Sequence, residues 1–233
     1  MSQERERGTR SEARHLASLI LSEARRTAFD TSSLRRVRQK WTRELKDADP
    51  RLVLNVAREL IAGGTHAHLM LGYELLLSHE KAFKLLDAKL VDEFANGLAD
   101  WGTIDLFGVT IAGPAWRQRL ISDATVAGWS RSPDRWRRRL ALVATVPLNA
   151  RSRGGTGDAR RTLAMCRRLI TDRDPMVVKA MSWALRELAK REARLVSDFV
   201  AREHALPALV RREVGNKLRT GLKSGRVRQP AKE

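Results

Sequence analysis

Two groups of residues in this sequence have the types and spacing to do chemistry. Trp101 and Asp105 stand four apart in Asp100-Trp101-Gly102-Thr103-Ile104-Asp105, so on a helix they share a face. They flank a core stripe of Ile104, Phe107 and Ile111, and Gly108, one turn beyond Asp105, is expected to leave space there. A carboxylate in a basic protein is expected to be held ionised by the surrounding positive potential. A fixed negative charge beside an indole could stabilise positive charge developing on a substrate. From spacing alone the plainer reading stands ahead, a surface Asp that offsets local charge. The second group centres on Trp183. Its helix has an apolar stripe of Val177, Met181, Ala184, Leu185 and Leu188. At 100° per residue Trp183 lies roughly 200° from Met181, in a basic stripe of Lys179, Trp183, Arg186 and Lys190. An indole in such a face could stack on a sugar or base or meet a cationic ligand. Packing against a neighbouring helix is the alternative.

Other candidates are weaker. The loop Asn149–Asp158 carries Arg151, Arg153, Gly154, Gly155 and Gly157. It lacks the Gly-Lys-Ser/Thr ending of a phosphate loop and no strand precedes it, so nucleotide binding is not expected. The single cysteine, Cys166, excludes a disulfide framework and a thiolate-rich zinc site, and it reads as a buried small hydrophobe. No metal or cofactor is expected.

The elements that must position these residues are helices. Asp49-Pro50, Ser132-Pro133 and Asp174-Pro175 each pair a capping residue with proline at a helix start, and each is followed by an apolar stripe of helical period. Further helices are expected at about 10–27, 32–46, 66–78, 89–98, 101–111, 114–121, 159–171, 193–203 and 207–220. No alternating strand run stands out. The proline starts recur at 42 residues and at about twice that, the period of HEAT or armadillo repeats. The fold expected is therefore all-α, a HEAT-like solenoid in which antiparallel helix pairs stack in a curve. It would occupy residues 1–222 as one domain, with a basic flexible tail at 223–233. Trp41 and Trp136 fall on core stripes, whereas Trp116 and Trp129 are undecided.

The charge names the partner. Lys plus Arg number 45 against 27 Asp plus Glu, a formal net charge of +18. Nucleic acid is the default partner of such an excess. Eleven arginines lie in residues 131–168, and within that stretch only Asp134 and Asp158 oppose them. Arginine favours bidentate phosphate contacts, which supply affinity and position but not base sequence. No stretch is long and apolar enough for a bilayer, and the charged first residues do not resemble a secretory signal. A cytoplasmic, monomeric protein with no membrane partner is expected.

Three segments together resemble one family, the DNA alkylation repair (AlkD-like) DNA glycosylases. Trp101-Gly102-Thr103-Ile104-Asp105 is similar to its Trp-x-x-x-Asp motif, Trp136-Arg137-Arg138-Arg139-Leu140-Ala141 to its Trp-x-x-Arg-x-Ala segment, and Lys179-Ala180-Met181-Ser182-Trp183-Ala184-Leu185-Arg186 to its Lys-Ala-x-x-Trp-Ala-Leu-Arg segment. The match runs over about residues 45–220. The family's aromatic-Gly-Val-Arg tract is not evident, and Ser32-Ser33-Leu34-Arg35-Arg36 stands near its place. The resemblance implies a C-shaped stack of HEAT-like pairs and excision of N3- and N7-alkylated purines from double-stranded DNA. It carries catalytic roles to Asp105, Trp101 and Trp183, and phosphate contact to Arg139. Arg138, Arg151, Arg153, Lys179 and Arg186 are the further residues expected to meet DNA. Relatives lacking the acidic residue or the aromatics bind DNA without excision. A non-catalytic binder of damaged or branched DNA is therefore the alternative, with a protein-interaction solenoid behind it.

Overall fold

The structure, a computed structural model, describes residues 2–225. It is 72% helix, with no strand among the described residues. Packing divides the chain into two compact units, Met1–Leu98 and Ala99–Glu233.

The first unit contains α1 (Ser2–Arg25), α2 (Thr31–Glu44), α3 (Pro50–Ala62), α4 (His66–Ser78), α5 (Glu80–Phe83) and α6 (Ala88–Phe94). Helix α3 packs between α1 and α4 and supplies Val53, Val56, Ala57 and Leu60 to the core. Tyr73 is fully buried, and its hydroxyl donates to the Phe94 carbonyl at 3.1 Å. Burial raises the pKa of that phenol. Trp41, expected in the core, is only half-buried; its indole N–H donates to Glu23 (2.9 Å).

The second unit begins with a helical rod, α7 (Trp101–Phe107), a π-helical turn (Gly108–Ala112) and α8 (Gly113–Arg117). It continues with α9 (Asp123–Trp129), α10 (Arg135–Val143), α11 (Val146–Asn149), a 3₁₀ turn (Arg151–Arg153), α12 (Ala159–Arg168), α13 (Pro175–Leu188), α14 (Ala193–Arg202) and α15 (Ala208–Thr220). The pairs α9–α10, α12–α13 and α14–α15 repeat; their second members pack in succession, α10 on α13 and α13 on α15, and α7 packs on α10. This is the expected stacking of helix pairs.

The Asp-Pro starts are as expected. Asp49 accepts from the Arg51 amide (2.8 Å) and Asp174 from the Met176 amide (2.8 Å), each with proline in the first turn. The third start lies two residues later than Ser132-Pro133. Asp134 is the cap and accepts from the Trp136 amide (2.9 Å). The Arg138 guanidinium holds the carbonyls of Ser132 (3.0 Å) and Pro133 (2.8 Å). It thereby satisfies them outside the helix. The short helices α5, α9 and α11 were not expected, because too few residues display a period.

Trp116 and Trp129 are core residues, 1% and 6% exposed, whereas Trp136, expected in the core, is half-buried beneath Arg135. Cys166 is fully buried, and its thiol is pushed up to about 12 by burial. Of the tail expected at 223–233, residues 226–233 lie outside the described residues; Lys223 pairs with Glu213 (3.3 Å). Among the described residues no helix is long and apolar enough to cross a membrane.

Candidate active site

Asp100 fixes the start of α7. Its carboxylate accepts from the amides of Gly102 (2.8 Å) and Thr103 (3.0 Å) and from the Thr103 hydroxyl (2.6 Å). The cap leaves Trp101 on the first helical turn, where its indole is 63% exposed. One turn on, Asp105 faces α10 and takes the Arg139 guanidinium in a two-pronged pair, Nε to Oδ1 at 2.8 Å and Nη2 to Oδ2 at 2.7 Å. The Arg139 side chain is 6% exposed and that of Asp105 18%. Arg139 also donates through Nη1 to the Met176 carbonyl in the first turn of α13. One guanidinium therefore ties α7, α10 and α13 together at the carboxylate.

Gly108 permits this approach. A Cβ there would lie 2.6 Å from Val143 Cγ1 and 3.3 Å from Leu140 Cδ1. Gly108 follows Asp105 by one turn, and Val143 follows Arg139 by one turn, so the two contacts form adjacent rungs between α7 and α10. The space expected beside Asp105 at Gly108 is thus filled by α10. Gly113 repeats the device on α11, where a Cβ would meet Pro147 Cγ at 2.5 Å. Gly108→Ala should therefore destabilise the protein by about 1–3 kcal/mol, the cost of overpacking a tight contact. It should also part Asp105 from Arg139. Urea denaturation checks the first effect, and a denaturation midpoint equal to that of the unaltered protein would refute the rung.

The electrostatics of Asp105 differ from the sequence reading. Burial, as the largest influence, raises its pKa above the ordinary carboxylate value; the Arg139 hydrogen bonds and charge oppose the rise, and Asp100 adds to it. The ionised form is favoured by one specific partner rather than by a diffuse positive field.

On α13 and the turn that follows it, the basic stripe is the only part of Val177–Lys190 that is not buried. Lys179 and Lys190 are exposed and Trp183 and Arg186 are half-buried, while every other residue of that span is buried. Trp183 lies two turns beyond the Met176 carbonyl that holds Arg139. Lys179 is without a side-chain partner among the described residues. Arg186 donates to the Ser182 hydroxyl (3.2 Å) and sits 3.8 Å from Glu213.

The arginine-rich stretch is less bare than its local sequence. Arg138 pairs with Asp172 (2.7 Å), Arg139 with Asp105, Arg160 with Asp123 (3.0 Å) and Arg167 with Glu203 (2.8 Å), partners 34 to 37 residues away. Arg135 and Arg161 pair with Asp174 and Asp123. Counting only Asp134 and Asp158 as opposing charges missed acids that arrive from neighbouring repeats. The guanidiniums of Arg138 and Arg139, the residues expected to meet phosphate, are thus both engaged within the protein, and each keeps N–H donors beyond those bonds. Arg131, Arg151 and Arg168 are exposed and carry no side-chain pairing among the described residues. Arg153 is exposed and reaches back to the Val109 carbonyl (3.4 Å).

The loop at 149–158 is built into the fold. Asn149 is buried, donates to Thr145 O (3.0 Å) and Thr162 Oγ1 (2.9 Å), and accepts from the Asp158 amide (2.9 Å). The residue missed at the sequence level is Arg139 as the partner of Asp105. Its only sequence signal is the 34-residue separation, shared with Arg138 and Asp172. Among the described residues no group of three or more His, Cys, Asp or Glu is arranged to hold a metal ion.

No curated protein matches the chain in sequence. A family model described as DNA alkylation repair enzyme matches residues 5–218. That span includes Trp101, Asp105, Arg139 and Trp183, and the chain therefore belongs to the DNA alkylation repair enzyme family, with a role in the repair of alkylated DNA.

Proposed function

We propose that the protein is a monofunctional DNA glycosylase, a cytoplasmic monomer that hydrolyses the N-glycosidic bond of N3- and N7-alkylated purines in duplex DNA. Alkylation at either nitrogen makes the purine cationic. When the bond from C1′ breaks, its electron pair neutralises the departing base and positive charge develops on the deoxyribose. Asp105 stabilises that charge and orients the water that adds to C1′, whose proton passes to bulk solvent as the C1′ hydroxyl forms. Both of its oxygens accept from Arg139, yet each retains a lone pair for sugar or water. Trp101 and Trp183 offer indole faces to the cationic sugar, an interaction worth ~0.5–2 kcal/mol each. Lys179, Arg186, Arg151 and Arg153 supply phosphate contacts, and Arg138 and Arg139 add theirs through the N–H donors left over from their internal pairs.

The observation that carries this reading is the part-buried, two-pronged Asp105–Arg139 pair on the helix that also presents an exposed Trp101. The test is base release from duplex DNA containing 7-methylguanine. Release well above the spontaneous rate is expected. Binding of that duplex with release no faster than the spontaneous rate would leave a non-catalytic binder of damaged or branched DNA.

A further inference from the structure

Arg117, Arg119, Arg160 and Arg161 line one cleft of about 320 Å³, together with Thr156, Gly157 and Asp158. They come from the end of α8, the turn that closes it and the first turn of α12. Two carboxylates answer four cations. Asp123 bridges Arg160 (3.0 Å) and Arg161 (2.9 Å), and Asp158 lies 3.5 Å from Arg161. Arg117 and Arg119 have no acidic partner among the described residues.

Arg117 is half-buried, and its Nη1 donates to two neutral carbonyls, Pro147 at 3.0 Å and Arg153 at 2.6 Å. A cation drawn partly out of water with only neutral partners is unfavourable, and burial lowers its pKa. An anion in the cleft would compensate it. Arg119 is exposed and lies in the left-handed region at φ 63°. Its amide donates to Trp116 O and that of Leu120 to Ala115 O, the hydrogen bonds of a helix ending that favours glycine at this position. An arginine there is strained, and it sets a guanidinium on the rim of the cleft. The floor is rigid. Arg191 donates to Asn149 O (2.8 Å) and to Gly155 O, and a Cβ on Gly155 would meet Pro147 O at 2.5 Å.

We propose that this cleft binds a phosphate group, supplied by the backbone of bound DNA. Arg117 lies twelve residues beyond Asp105 on the same rod, roughly 18 Å at 1.5 Å per residue. This is far enough to meet a phosphate well away from the nucleotide at the carboxylate. The inference rests on the duplex-binding part of the proposed function, not on its chemistry.

Arg119→Gly removes the guanidinium while placing the residue type that the backbone favours, so its denaturation midpoint should equal or exceed the unaltered protein's. Binding to lesion-free duplex should fall about fivefold near 0.15 M salt, with the log–log salt slope reduced by about 0.9, the loss of one phosphate contact. A second arm follows thermal stability with inorganic phosphate against chloride at equal ionic strength. A reduced DNA slope identifies the backbone as the source. A phosphate-specific stabilisation lost in Arg119→Gly, with the DNA slope intact, supports the cleft with free phosphate as its source. An unchanged slope and no phosphate-specific stabilisation would overturn the proposal. All these readouts use unreacted DNA or none, so absence of base release leaves them unaffected.

Discussion

Asp105→Asn should lower base release from methylated duplex by about 10²–10³-fold, the scale of losing one electrostatic stabiliser of a transition state. The substitution removes the charge and keeps the shape. It also turns an amide NH₂ toward one prong of Arg139, so a stability loss of about 1–3 kcal/mol should accompany it. Release must therefore be measured well below the variant's unfolding midpoint, at saturating DNA. Duplex affinity should be unchanged or slightly higher, because a negative charge has left a polyanion-binding protein. Trp101→Ala is expected to be milder, since an indole face contributes only ~0.5–2 kcal/mol. Release by Asp105→Asn within tenfold of the unaltered protein would remove the carboxylate from the mechanism.

Arg139→Met should be the most damaging single change to the fold at this site. It leaves Asp105, with an 18% exposed side chain, facing α10 without its partner. Removing one member of a buried pair destabilises by about 3–5 kcal/mol. The pH dependence carries a distinct signature. Burial already raises the Asp105 pKa, and Arg139 is what opposes the rise. Without Arg139 the pKa moves higher still, so the acid limb of base release shifts to higher pH. For stability the sign is opposite. A carboxyl whose folded-state pKa is raised favours the fold as pH falls through that pKa. The stability deficit of Arg139→Met should therefore narrow in acid. The double variant Asp105→Asn/Arg139→Met should lose less than the sum of the two single changes. Strict additivity, with an unmoved acid limb, would mean the pair does not couple.

These two residues also mark where sequence reasoning stopped. The open face of α13 was legible because 100° per residue fixes which side chains share it, and Lys179, Trp183, Arg186 and Lys190 are the span's unburied residues. The Asp49 and Asp174 caps were legible because capping is local. Asp105 and Arg139 meet across 34 residues, and nothing within one helix reports the face its neighbour presents. Gly108 was misread for the same reason. Its missing side chain marks room along its own helix, and Val143 of α10 occupies that room. The net charge was correct as a sum, but the acids that neutralise individual arginines come from adjacent repeats.

The burial of Cys166 has a consequence for a protein that works where electrophiles are present. Alkylating agents attack thiolates, and the thiolate is the reactive form of cysteine. With its thiol pushed up by burial and its side chain sealed in the core, Cys166 stays in the unreactive thiol form at neutral pH. It is also the chain's only cysteine. The chain thus offers no ready thiolate to the reagents whose damage its family repairs, and mass spectrometry of the folded protein after treatment with a methylating agent should find Cys166 unmodified.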